Sequence, residues 1–115
     1  MPHCIVEYSH NLEQEVPPHD WIEAVQQACL ATELFQPSDI KLRAFACKHF
    51  ITGGVQDAFV HVTIRMLPGR SVERKNELSQ SVLDALCSFS IKQVSLSVEI
   101  IEMDKDSYAR RIIPA

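Results

Sequence analysis

The sequence predicts a two-layer α+β sandwich in which a duplicated β-α-β unit places two helices on one face of a four-stranded sheet. Three observations carry this reading. Strand-like alternation occurs four times and helical periodicity twice, in the order β-α-β then β-α-β. His3 and His61 stand at equivalent places in the opening strands of the two halves, about half a chain apart, so residues 1–57 and 58–115 repeat one organisation inside a single domain. Right-handed crossovers in both halves bring both helices to the same side of a common sheet. The other side, which carries Phe45, is then left uncovered, and three copies packed sheet to sheet would hide it.

The first strand is predicted over residues 3–8, where Ile5, Val6 and Tyr8 are strand formers. Residues 9–18 are polar, end in Pro17-Pro18 and read as a connection. Asp20 and Glu23, three apart, form a capping-box pattern for a helix in which Trp21, Val25, Ala28 and Thr32 recur at helical spacing. Pro37 bars the helix from continuing, because proline disfavours the helical conformation in the residue before it. Residues 40–50 alternate as a second strand, with Ile40, Leu42, Ala44 and Ala46 facing one way and Lys41, Arg43, Phe45 and Cys47 the other.

Thr52-Gly53-Gly54 supplies a loop, and residues 58–67 form a third strand with Val60, Val62, Ile64 and Met66 on one face. Pro68-Gly69 ends it. Ser71 is a suitable N-cap, Glu73 suits the positive end of a helix dipole, and Leu78, Val82, Ala85, Leu86 and Phe89 make an apolar stripe. A fourth strand over residues 93–102 alternates Val94, Leu96, Val98 and Ile100 with polar side chains. Residues 103–115 are polar, then apolar, a tail that either packs on a neighbouring subunit or closes its own sheet.

Composition narrows the function classes. A net charge of −4 over 115 residues gives no electrostatic reason for a nucleic-acid or anionic-membrane partner. No signal-peptide pattern and no apolar run of membrane-spanning length is present, so the expected location is cytoplasmic. Cys4, Cys29, Cys47 and Cys87 lie far apart within apolar patterns and are expected as buried free thiols. His3, His61, His49 and Cys4 have no close metal-ligand spacing, so no metal is expected.

The chemistry-bearing stretch is the start of the chain. If Met1 is removed, Pro2 presents a secondary amine at the head of a strand, a base supplied by backbone rather than side chain. Proline at that position costs no ladder hydrogen bond, so the same residue also fits a purely structural role. Desolvation and neighbouring cations would lower the amine's pKa toward the working pH, where general base catalysis is most effective. Arg70, Lys41 and Arg43 are the candidate cations. Arg70 stands at a helix start, where a cation is unfavourable to the dipole; Lys41 and Arg43 could equally protect an edge strand from aggregation.

Arg65-Met66-Leu67-Pro68-Gly69-Arg70-Ser71, a helix, and Val98 to Lys105 resemble the 4-oxalocrotonate tautomerase pattern. The whole chain, with Met1-Pro2-His3, Ala58-Phe59-Val60-His61 and Gly69-Arg70-Ser71-Val72-Glu73, is more similar to the 5-carboxymethyl-2-hydroxymuconate isomerases of the same superfamily. The resemblance implies a tautomerase-like fold, a homotrimer, Pro2 as catalytic base, arginines that bind substrate carboxylates, and no metal or cofactor. Arg70 matches the arginine of Gly-Arg-Ser. The second arginine of the family falls at Lys41, with Arg43 two residues on, and Tyr108 lies near the place of an aromatic wall residue. The positions in the other half that match Pro2 and Arg70 are Val60 and Leu12, which allows one site per subunit.

Two functions remain open on these residues. One is a cofactor-free isomerase that shifts a double bond in an unsaturated 2-keto or 2-hydroxy di- or tricarboxylate such as 5-carboxymethyl-2-hydroxymuconate. The other is a trimeric carboxylate- or protein-binding module of the same fold, favoured by Lys41 in place of arginine and by a retained Met1.

Overall fold

The computed structural model describes all 115 residues. Its regular elements are β1 (His3–Ser9), α1 (Pro18–Ala31), β2 (Lys41–Cys47), β3 (Ala58–Met66), α2 (Val72–Cys87) and β4 (Val94–Glu102). The sheet order is β2-β1-β3-β4. β1 and β2 run parallel, as do β3 and β4, and each parallel pair is joined by its own helix. β1 and β3 meet antiparallel at the centre, with Val6 opposite Val62, so the two β-α-β halves are related by an internal two-fold through the middle of the sheet.

Period-two alternation decides which face is covered. Cys4, Val6 and Tyr8 from β1 and Ala58, Val60, Val62, Ile64 and Met66 from β3 are buried. Trp21, Val25, Ala28 and Cys29 of α1 and Leu78, Val82 and Leu86 of α2 close over them. Full burial of each such aliphatic side chain stabilises the fold by about 1.5–3 kcal/mol. The opposite face carries His3, Arg43, Phe45, His61, Arg65 and Glu99, and no helix lies on it. Phe45 there is 55% exposed. No helix is long and apolar enough to cross a membrane.

Four local expectations are corrected. α1 begins at Pro18 with Pro17 as N-cap and no side-chain cap, so Asp20 and Glu23 do not form the capping box. Proline at the first helical position is already fixed at a helical φ and lacks only an N–H that would be unpaired there. Asp20 instead sits in the first turn, favourable to the dipole, and Glu23 faces His19 at 3.4 Å. The other end of α1 is as expected: the helix stops before Pro37, at Ala31, where Thr32 Oγ1 donates to the Cys29 carbonyl at 2.7 Å and Glu33 turns the chain at φ 59°.

The connection before α1 contains a 3-10 turn, His10–Gln14, that buries Leu12, while Val16 is buried beyond it. β2 ends at Cys47 rather than residue 50, because its only neighbour, β1, ends at the paired Ser9. Phe89 falls just past α2 and stacks at 4.5 Å on Trp21, in a tilted ring pair that ties the two helices together.

Candidate active site

The site is assembled where β1 and β3 expose opposite ends to the same edge. Pro2 immediately precedes β1, is fully buried, and accepts a hydrogen bond at its carbonyl from the Lys41 amide at 3.0 Å. That bond extends the parallel β1–β2 ladder by one step, so the nitrogen of Pro2 is held by sheet geometry rather than by a loop. Antiparallel pairing brings the C-terminal end of β3 alongside the start of β1, with Arg65 opposite His3. Beyond β3, Gly69 adopts φ 127°, a conformation L side chains rarely adopt. This turn delivers Arg70 to the edge and places Ser71 as N-cap of α2, where its hydroxyl accepts from the Arg74 amide at 3.1 Å.

A cavity of about 240 Å³ lies at this edge, lined by Met1, Phe35, Met66, Leu67, Pro68 and Arg70. Arg70 donates to the Leu34 carbonyl at 2.7 Å, and Arg74 donates to the Thr32 carbonyl at 3.1 Å. Both guanidiniums thus meet the negative end of α1, which offsets the cost of a cation at the start of α2. One N–H edge of Arg70 is fixed to the protein, and the fork presents further donors at the cavity.

Charge around the N-terminus is dominated by cations. The Met1 amine and the Lys41 ammonium both donate to the Asp39 carbonyl, the latter at 3.3 Å. The short 3-10 turn Pro37–Asp39 presents that carbonyl. Arg110, from the C-terminal segment, pairs with the Asp39 carboxylate at 3.2 Å and holds that carboxyl below the usual range. Burial first, and Lys41 next, hold the Met1 amine below its ordinary pKa.

The residues singled out from the sequence therefore fall into two groups. Arg70 lines the cavity with Met1, the residue joined to Pro2. Lys41 stands beside the N-terminal amine on their shared carbonyl. Arg43 and Tyr108 lie on the open sheet face, where Arg43 reaches His3 Nδ1 at 3.2 Å and the Tyr108 hydroxyl reaches His3 Nε2 at 3.1 Å. Neither lines the cavity. The sequence reading missed Phe35, Leu67 and Pro68 as cavity wall and Arg110 as a partner of Asp39. Phe35 carried a signal, an apolar residue in a segment that a proline keeps out of the helix; the Arg110 contact spans most of the chain and left none.

Other chemistry-bearing groups have partners of their own, and of the four cysteines expected to be buried only Cys4 and Cys29 are, Cys47 being half-buried and Cys87 exposed at the end of α2. His61 meets Ser97 Oγ at 2.7 Å and Glu99 at 2.5 Å, and Glu102 pairs with Lys75 at 3.3 Å. The Cys4 and Cys29 sulfurs lie 3.9 Å apart in the core, both as free thiols. Their mutual hydrogen bond and burial push the Cys4 thiol up, which leaves it a packing residue rather than a nucleophile.

Residues 2–113 match the family described as 5-carboxymethyl-2-hydroxymuconate isomerase. No curated protein matches the sequence. Among solved structures, the chain is similar to a 5-carboxymethyl-2-hydroxymuconate isomerase from Deinococcus radiodurans R1, with 26% identity, a TM-score of 0.79, and 96% of this chain and 88% of that one covered. A 5-carboxymethyl-2-hydroxymuconate delta-isomerase shares the fold at 15% identity and TM-score 0.79, covering 97% of this chain and 88% of that one. A fused 4-OT described as a symmetric trimer does so at 19% identity and TM-score 0.64, covering 87% and 85%.

Proposed function

Since the chain belongs to the 5-carboxymethyl-2-hydroxymuconate isomerase family, an isomerase family with the tautomerase fold, we propose that it shifts a double bond in an unsaturated 2-keto or 2-hydroxy di- or tricarboxylate with the Pro2 amine as general base. The reading is supported by one observation: Met1, the residue joined to Pro2, and Arg70, distant in sequence, meet at a single cavity. Removal of Met1 converts the Pro2 nitrogen from an amide into a secondary amine at the cavity edge. Burial and the Lys41 cation already lower the amine one residue away. The same two effects act on a Pro2 amine and favour its unprotonated form near neutrality.

In this mechanism the Pro2 nitrogen takes a proton from the carbon between the double bond and the carbonyl. The electron pair moves through the conjugated system onto the 2-oxygen, giving a dienolate. Arg70 anchors one carboxylate through its fork and Lys41 offers a point charge to a second; their field stabilises the developing oxyanion. The prolinium then returns the proton to a distant carbon of the dienolate, and the enzyme is regenerated without a metal or cofactor. Phe35, Met66 and Leu67 exclude water from the proton transfer.

The open sheet face supports a homotrimer as the working assembly. Only 19 of 115 residues are buried in one chain, and the related fused 4-OT is a symmetric trimer.

The test is an intact mass of the protein from its native source, followed by an ultraviolet assay with 5-carboxymethyl-2-hydroxymuconate. Absence of Met1, and turnover that collapses when the Pro2 amine is acylated, is the expected result. A retained Met1 with no turnover would leave the second reading, a carboxylate-binding module of this fold; Met1 as a wall residue of the cavity is the observation that favours it.

A further inference from the structure

His3 is the covalent neighbour of Pro2, and its ring is held from two sides by groups that no sequence pattern connects. On one side Arg43 Nη1 lies 3.2 Å from Nδ1; on the other the Tyr108 hydroxyl lies 3.1 Å from Nε2, with the two rings edge to face at 6.1 Å. A guanidinium can only donate, so Nδ1 must be the acceptor and the ring proton must sit on Nε2, directed at the Tyr108 oxygen. One tautomer is selected by chemistry. Tyr108 is itself fixed by a turn in which its amide donates to the Asp104 carbonyl at 3.0 Å. The C-terminal segment is otherwise tied to this edge by the Arg110–Asp39 pair, while Ile112 and Ile113 beyond it are exposed. Its docking on β1 therefore rests on polar links and not on a buried apolar anchor.

The charged groups facing the ring are Arg43 and Lys41 from β2, Arg65 from β3 and the N-terminal amine; Tyr108 is the titratable group from the C-terminal segment. All four charges are positive; burial first, and these cations with it, hold the imidazole below its ordinary pKa. A protonated ring would turn Nδ1 into a donor facing a donor, break the Arg43 bond and set two cations against each other at hydrogen-bond distance. The internal two-fold supplies a contrast. His61, in the same place on β3, meets the carboxylate of Glu99, a partner that a protonated ring would keep.

We propose that His3, locked as the Nε2–H tautomer between Arg43 and Tyr108, is a positioning residue for Pro2, and that protonation of His3 releases the first residue of β1 from β2 and from the C-terminal segment. This rests on the reading of Pro2 as the base. It assigns Arg43 and Tyr108 to holding the N-terminal strand rather than to touching substrate. Acid then silences the site twice, once by protonating the base and once by unlocking the residue that holds it.

The test uses His3→Gln, His3→Ala, Tyr108→Phe and, as a control, His61→Gln, all with Met1 removed. A glutamine oxygen can accept from Arg43 and its amide can donate to Tyr108, without titrating. We expect kcat/KM of the parent to fall in acid with the second power of proton concentration, and that of His3→Gln with the first power, with neutral-pH activity within about twofold of the parent. His3→Ala should lose about tenfold at neutral pH, with the deficit closing in acid where the parent is unlocked as well, and His61→Gln should leave the acid limb unmoved. Tyr108→Phe should lose the hydrogen-exchange protection of the Tyr108 amide.

Nitrogen-15 NMR of the imidazole, recorded without substrate, should show the Nε2–H tautomer and titration below the ordinary histidine range. An Nδ1–H tautomer, or acid limbs that superimpose for parent and His3→Gln, overturns the proposal. If no variant and no parent turns over substrate, the base assignment has failed, while the NMR tautomer still decides the lock.

Discussion

At the residue scale the proposed site depends on one cation with a defined hydrogen-bond partner. Arg70 spends one N–H on the Leu34 carbonyl, and in the proposed mechanism the remainder of its fork takes an anion. Arg70→Ala should lower kcat/KM by about a hundredfold, seen in steady-state kinetics, and Arg70→Lys should recover only part of it because an ammonium cannot grip a carboxylate bidentately. The identity of this residue was legible in Gly-Arg-Ser. Its bond to the end of α1 was not, since nothing in local sequence pairs residue 70 with residue 34. Tyr8 illustrates the same gap: it reads as a strand residue, but the fold buries it and sets its hydroxyl 2.5 Å from Glu13. Burial and that carboxylate push the phenol up to about 12. An ultraviolet difference titration should find one tyrosine that ionises only near that pH.

At the scale of elements, termini decide more than interiors. The apolar stripe of α2 and the alternation of β3 follow directly from periodicity, and both are observed. The start of α2 was legible as well, because Ser71 acts locally: its hydroxyl accepts from the amide three residues on. Ser71→Ala should cost about 1 kcal/mol, read as a lowered urea midpoint with unchanged m-value. The start of α1 was misread because two local devices compete there, a capping box at Asp20 and Glu23 and a proline at the first helical position. The conformational restriction of Pro18 wins, since it is present before any side chain finds a partner. Strand ends carry the same lesson. The length of β2 is set by where its neighbour β1 stops pairing, a fact about another segment.

At the scale of the molecule, the two halves have kept one backbone and diverged in charge. The first half places Pro2, Lys41 and Arg43 near one end of the sheet; the second half places Val60, Ser97 and Glu99 in corresponding positions. The open face then separates β2, with its cations and Phe45, from β4, with its carboxylate. Complementary edges of this kind suit head-to-tail closure of three copies. Phe45→Lys, on the uncovered face, should convert the proposed trimer to monomer in light scattering, with the helices retained in circular dichroism. A trimer that survives the substitution would remove this face from the assembly.

Fold class, the two helices and the four strands were determined by sequence alone, because each rests on interactions within a few residues or on a periodicity that any sheet or helix must show; Pro2 and Arg70 were singled out there as candidates. The junction between them was decided only by tertiary structure. Antiparallel pairing of β1 with β3 carries Arg65 to His3 and the β3 exit to the N-terminus, and the C-terminal segment returns Tyr108 and Arg110 to the same edge. These contacts join residues separated by most of the chain. Chain connectivity places no constraint on such pairs until the core has formed, so their partners are written in the packing of the whole domain rather than in any stretch of it.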